Sequence, residues 1–241
     1  MFQLEVIAFS IASCHIAAIA GANRIELCDN PHEGGTTPSY GMIKAARSKA
    51  AIELFPIIRP RGGDFLYSND EFEVMKNDIS ICKSLGCDGV VIGLLLPNGT
   101  VNKQRTEALV ALAYPMQVTF HRAFDRVENP YESLEVIIDC GCKRILTSGL
   151  QPTAIEGSDL LTELVQQAGN RISIMPGSGI RPDNILTIQS TTGANEFHSS
   201  ARRLLTSAMY YTNPLMKENL QSYELDSEQV HTMRQLLDSI R

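Results

Sequence analysis

The sequence predicts an α/β protein, a single-domain (β/α)8 barrel spanning residues 1–241. Three observations predict it. Short apolar runs alternate with helical patterns about eight times, which is how βα units and a parallel sheet are written. The 241 residues match the roughly 250 that such a barrel needs. No Gly-x-Gly-x-x-Gly fingerprint follows the first apolar run, which disfavours the rival doubly wound open sheet.

The elements follow in order. Strands are predicted over 2–8, 24–28, 52–58, 89–93, 116–120, 144–147, 171–175 and 196–198. Helices are predicted over 10–20, 38–48, 69–85, 102–113, 130–140, 155–168, 181–189 and 227–240. Gly21, Gly86, Gly141 and Gly169 stop helices, because glycine suits the left-handed residue that ends one. Ser68 or Asn69 caps the third helix, and Asn129-Pro130 opens the fifth. A repeated helix, Gly-x-x, β-run grammar (Gly21-Ala22-Asn23, Gly86-Cys87-Asp88, Gly141-Cys142-Lys143, Gly193-Ala194-Asn195) marks tight αβ turns. Residues 201–226 form the one irregular stretch, where Tyr210, Tyr211 and Tyr223 could cover one face or join a homodimer contact.

Composition narrows the function classes. Apolar content is 44%, charged content 20% and net charge −6. An acidic chain is a poor partner for nucleic acid, although a small anion needs only a few local cations. No apolar run approaches a membrane span, and the stretch from Met1 to Val6 lacks the features of a secretory signal. A cytoplasmic setting follows, in which the six cysteines are thiols rather than disulfides.

Alternate residues of a barrel strand point inward. Ile25 and Leu27 then face the helices, while Arg24, Glu26 and Cys28 face in, with Thr119 and His121, and with Glu196 and His198. Glu5 is polar in an apolar strand, and Arg59 ends the third strand. Ionised groups are costly to bury unpaired, so this inner ring is a balanced ion network, a ligand site, or both. Glu26 and His121 are the acid–base candidates. Arg59 and Arg61 flank Pro60 just after a strand, and arginine forks suit carboxylate or phosphate; a loop tied by Arg–Asp pairs is the alternative. Gly177-Ser178-Gly179 leads from the seventh strand toward a helix, and Ser200 and Arg202 follow the eighth. Barrels frequently bind phosphate there; a tight turn needing small residues is the alternative. These residues together describe an uncharacterised enzyme acting on a small anionic metabolite.

Several longer segments carry a resemblance. Asn23-Arg24-Ile25-Glu26-Leu27-Cys28, Glu33-Gly34-Gly35-Thr36-Thr37-Pro38, Ile58-Arg59-Pro60-Arg61-Gly62-Gly63-Asp64-Phe65, Val118-Thr119-Phe120-His121-Arg122-Ala123-Phe124-Asp125 and Phe197-His198-Ser199-Ser200-Ala201 resemble the CutC family of copper homeostasis proteins. The resemblance runs to about residue 203. It implies a cytoplasmic TIM barrel in copper homeostasis, with copper as Cu(I) the ligand proposed. Cu(I) favours thiolate and imidazole, so Cys28, His121 and His198 are the ligands this reading expects. Leu66 stands where the family pattern often has a cysteine, and Ile7 or Ala8 stands where many members have one in the first strand, which thins any thiolate site. Copper handling and anion chemistry are the two readings to be tested.

Overall fold

The structure is a computed structural model that describes residues 2–217 and 220–240. Met1 and Arg241, the two ends of the expected domain, lie outside the described residues. Strand and helix alternate from the start: β1 (Gln3–Ala8), α1 (Ile11–Ala20), β2 (Arg24–Leu27), α2 (Tyr40–Lys49), β3 (Glu53–Pro56), α3 (Asn69–Ser84), β4 (Gly89–Ile92) and α4 (Lys103–Ala113). The second half repeats this with β5 (Gln117–Phe120), α5 (Pro130–Asp139), β6 (Arg144–Thr147), α6 (Ser158–Ala168), β7 (Ser173–Pro176), α7 (Ile185–Thr192) and β8 (Glu196–Ser199). Two further strands, β9 (Arg202–Leu205) and β10 (Ser222–Leu225), precede α8 (Ser227–Ser239).

The eight alternating strands form two four-stranded parallel sheets, β3-β2-β1-β8 and β4-β5-β6-β7. A parallel bridge between Ile57 and Val91 joins the edge of β3 to β4, and β7 lies beside β8. The segment read as irregular contains an antiparallel ribbon, β9 with β10. Tyr223 lies on that ribbon, while Tyr210 and Tyr211 are exposed.

Local chemistry explains the boundaries. Ser10, Ser39, Asn102, Asn129 and Asp226 each accept a backbone N–H in the first turn of their helix. Ser68 and Glu71 complete a reciprocal capping box on α3. Gly21, with φ 93°, ends α1 in the left-handed region that the stop signal required.

The strand pleat sorts the side chains. Leu4, Val6, Ala8, Ile25, Leu27 and Leu54 join the helix-facing core. Register then aligns Glu5 with Arg24 on one side and with His198 on the other. The polar residues therefore meet on the opposite face, between the two sheets. Among the described residues, no helix is long and apolar enough to cross a membrane.

Candidate functional site

The inner polar residues fall into two levels. The lower level lies toward the strand N-termini. Arg24 reaches Glu53 at 2.9 Å, Glu196 at 2.9 Å and Glu5 at 3.3 Å. Arg144 reaches Glu196 at 3.0 Å and Gln117 at 2.8 Å. Both guanidinium groups lie over the Phe55 ring, at 5.0 and 5.3 Å. Gly89 leaves room for that ring, since a Cβ there would come within 2.1 Å of it. Every charge here has an opposite partner, so this level is an ion lattice.

The upper level opens into a cavity of about 320 Å³. Its lining includes Ile7, Glu26, Ile57, Arg59, His121, Leu146, His198, then Ser178, Gly179 and Ser200 from the loops after β7 and β8, and Arg202 at the start of β9. Those residues sit at or beyond the C-terminal ends of β1, β2, β3, β5, β6, β7 and β8.

Glu5 links the levels. His198 Nδ1 lies 2.8 Å from Glu5 Oε1, and His198 Nε2 lies 3.7 Å from Glu26 Oε2. Burial pushes the Glu5 carboxyl up, but the His198 hydrogen bond and the Arg24 and Arg144 charges outweigh it and hold it at about 2. Burial lowers His198, and the Glu5 hydrogen bond and Glu26 charge reverse that and raise it. Glu26 has no arginine partner within salt-bridge distance among the described residues. Burial therefore pushes its carboxyl up to about 7 against the pull of His198. A carboxyl poised near neutrality is what general acid–base chemistry needs.

His121 is set differently. Its Nδ1 accepts the Ala123 backbone N–H at 3.1 Å, so that nitrogen carries the lone pair and Nε2 carries the proton. Burial, helped by the Arg59 charge, pushes the ring down to about 3. His121 is therefore a neutral donor, and its Nε2 is buried with no protein partner. Gly93 makes space for it, because a Cβ there would lie 2.4 Å from the ring. Phe65 packs on the same ring, with centroids 5.0 Å apart.

Arg59 is 5% exposed and has no carboxylate within salt-bridge distance among the described residues. Its Nη1 donates to the Glu33 and Gly35 carbonyls at 2.6 and 2.8 Å, and its Nη2 to Gly63 at 2.8 Å. Its Nε is buried and unpartnered, as is the Tyr67 hydroxyl. An unsatisfied buried donor costs about 1–3 kcal/mol, so Arg59 Nε and His121 Nε2, both on residues that line the cavity, call for an acceptor. Arg202 stacks over Tyr223 at 4.5 Å and also lacks a carboxylate partner among the described residues.

Three expected site residues lie outside the cavity lining. Arg61 turns away to Glu71 at 2.6 Å and Asp64 at 2.9 Å, so it braces its own loop. The Gly177 N–H donates to Thr147 O at 2.9 Å, and its missing side chain accommodates Leu146 and His198. Its place is a packing requirement, since its N–H is not free for an anion. Cys28 is buried with Phe55, Ile57 and Val91 beneath Gly35. Burial, with the nearby Glu26 and Glu5 charges, raises its thiol well above the ordinary value.

Phe65 and Arg122 are among the lining residues that sequence did not single out. Phe65 sits in the loop after β3. Arg122 follows His121 directly and donates to Asp125 at 2.7 Å and to Ser148 at 2.9 Å. Adjacency to a strand-end histidine was the available signal for Arg122.

The comparisons with known proteins agree with this architecture. The family model for the CutC family matches residues 2–203. The chain belongs to the CutC family. A CutC family protein of Chromobacterium violaceum is 50% identical over 241 residues, covering 98% of each chain. The copper homeostasis protein cutC homolog of Homo sapiens is 46% identical over 212 residues, covering 88% of this chain and 78% of its own. A solved CutC structure from Streptococcus agalactiae superposes with a TM-score of 0.79 at 34% identity, covering 83% of this chain and 99% of that one. Thiamine phosphate pyrophosphorylase from Pyrococcus furiosus, at 16% identity and TM-score 0.62, shares the fold alone.

Proposed function

We propose that this CutC-family chain serves copper homeostasis, the role named for its mammalian relatives, from the cytoplasm. Its two sheets close into one (β/α)8 barrel domain, and the strand-end cavity is its working site. The chemistry of that site is acid–base chemistry on a small anionic metabolite. One observation carries this reading: Glu26 is a cavity-lining carboxyl, buried and raised to about 7, facing a histidine across 3.7 Å.

Glu26 is the acid or base. His198, tied to Glu5 at 2.8 Å, stabilises its charged form. His121 donates Nε2–H to a ligand oxygen. Arg59 Nε, Arg202 and the Ser178–Gly179 turn supply positive potential for the anion. Ser178 and Gly179 both have positive φ, 74° and 79°, which turns the backbone sharply at the cavity wall.

The expected copper ligands do not fit Cu(I). Cys28 is a buried, protonated thiol among apolar side chains. His121 Nδ1 is occupied by an N–H donor, so binding a metal at Nε2 would require removing the only ring proton. Among the described residues, the set that does converge is Glu5, Glu26 and His198, with ligand atoms within 4.8 Å of one another. Carboxylates and one imidazole lack the soft sulfur that Cu(I) prefers. The copper role is therefore assigned to the site's chemistry rather than to a thiolate copper centre.

Growth of a deletion strain in copper tests this. Wild type and Cys28→Ser should restore tolerance, and Glu26→Gln should not. Rescue by Glu26→Gln with failure of Cys28→Ser would overturn the assignment.

A further inference from the structure

The cavity pairs a carboxyl with a neutral imidazole donor, and that pairing is selective about chemistry. An imidazolium would lower the charge of any anion it met. A neutral Nε2–H instead matches an oxygen that becomes negative during reaction, because a weak donor is best matched to a strongly basic oxygen. The backbone N–H of Ala123 enforces the neutral form, accepted by Nδ1 at 3.1 Å. His121 Nε2 and Arg59 Nε are both buried without partners on residues that line the cavity. Ser200, Arg202 and the Ser178–Gly179 turn line the side contributed by β7 and β8. Acid–base groups and anion groups therefore come from different strands around one space.

Resting on the acid–base reading above, we propose that the ligand is a small α-hydroxycarbonyl compound bearing a phosphate or carboxylate, and that Glu26 removes the proton beside its carbonyl while His121 Nε2–H holds the carbonyl oxygen. The C–H bond breaks, and its electron pair forms the C=C bond of an enolate. The carbonyl π pair moves onto the oxygen that His121 holds. The proton resides on Glu26, whose Oε2 lies 3.7 Å from His198 Nε2, and returns to the same carbon. No oxidant, reductant or co-reactant enters. On Glu26 the proton exchanges with solvent before its return, so the net event is replacement of that hydrogen by a solvent proton on the same face of the carbon.

The test is proton exchange in D2O, followed by NMR on the full chain. Dihydroxyacetone phosphate is the phosphate probe and hydroxypyruvate the carboxylate probe. One probe should lose a single methylene proton stereospecifically, at least about 100-fold faster than without protein. Glu26→Gln should return the rate to background. His121→Gln, which keeps a donor amide, should cut it about 100-fold while leaving the probe's thermal stabilisation of the chain intact. Stabilisation by a probe without exchange would overturn the enolisation proposal and leave the anion reading standing. Neither stabilisation nor exchange with either probe would overturn both.

Discussion

The lower and upper levels of the interior are built on the same strands, two residues apart in β2 and β8 and further along in β3 and β5, yet they treat charge in opposite ways. Below, Arg24 and Arg144 meet Glu5, Glu53 and Glu196, and no cation is left without a carboxylate. Above, among the described residues, Arg59 meets carbonyls and the Phe65 ring but no carboxylate, Glu26 faces a histidine at 3.7 Å but no arginine, and His121 Nε2 has no hydrogen-bond partner. Burying an ion is tolerable when the partner is already in place. The lower level follows that rule and holds the fold together. The upper level breaks it, and under the proposed function a bound ligand is the partner that completes it.

The contrast can be broken by substitution. The largest effect is expected at the lattice. Arg24→Met leaves three carboxylates without their shared cation and should cost about 3–5 kcal/mol in urea unfolding. Arg202→Ala removes an unpaired cation and should change stability by no more than about 0.5 kcal/mol while abolishing stabilisation by anions. A small cost at Arg24 would erase the distinction between the levels.

The next effect depends on pH. Glu26 keeps its proton up to about 7 in the folded chain, against an ordinary 4.5. Folding therefore takes up a proton between those values, and stability falls as pH rises through that window. Glu26→Gln removes this loss, so its stability should exceed wild type by about 3 kcal/mol at pH 7 and above, and by little near pH 4.5. Denaturation curves of both proteins across pH 4.5–7.5 measure it. A constant difference would mean that Glu26 is already ionised at low pH.

A smaller effect is expected beneath His121. Gly93→Ala places a methyl 2.4 Å from the ring and should cost about 1–3 kcal/mol while displacing the Nε2–H from its position. Thermal unfolding and the exchange rate report the two consequences. The last and least consequential for the site is Arg61→Ala. Its partners Asp64 and Glu71 are partly exposed, so the cost should be about 1 kcal/mol or less, with ligand stabilisation unchanged.

Much of this was legible in the sequence because it depends on period. The two-residue pleat of Arg24-Ile25-Glu26-Leu27 assigned inner and outer faces, and the structure places Ile25 and Leu27 in the helix-facing core while Arg24 and Glu26 face in. Strand ends likewise brought Glu26, Arg59, His121 and His198 to one cavity. What stayed hidden depends on where donors are used. Arg61 and Arg59 look alike in Arg59-Pro60-Arg61, and only the loop path shows that one turns to Glu71 and the other inward. Cys28 has the right parity for the cavity but lies beneath Gly35, a closeness set by the loop rather than by spacing. The ribbon of β9 and β10 was missed because Arg202–Leu205 is short and exposed, with no buried alternation to announce it.

The account turns on the protonation of one ring. Nitrogen-15 imidazole NMR of the free protein reads it directly. His121 should show a neutral ring with the proton on Nε2 at pH 7, persisting down to about pH 4 because its pKa is pushed to about 3. A proton on Nδ1, or a charged ring at neutral pH, would contradict the donor role and with it the case for an anion at this site.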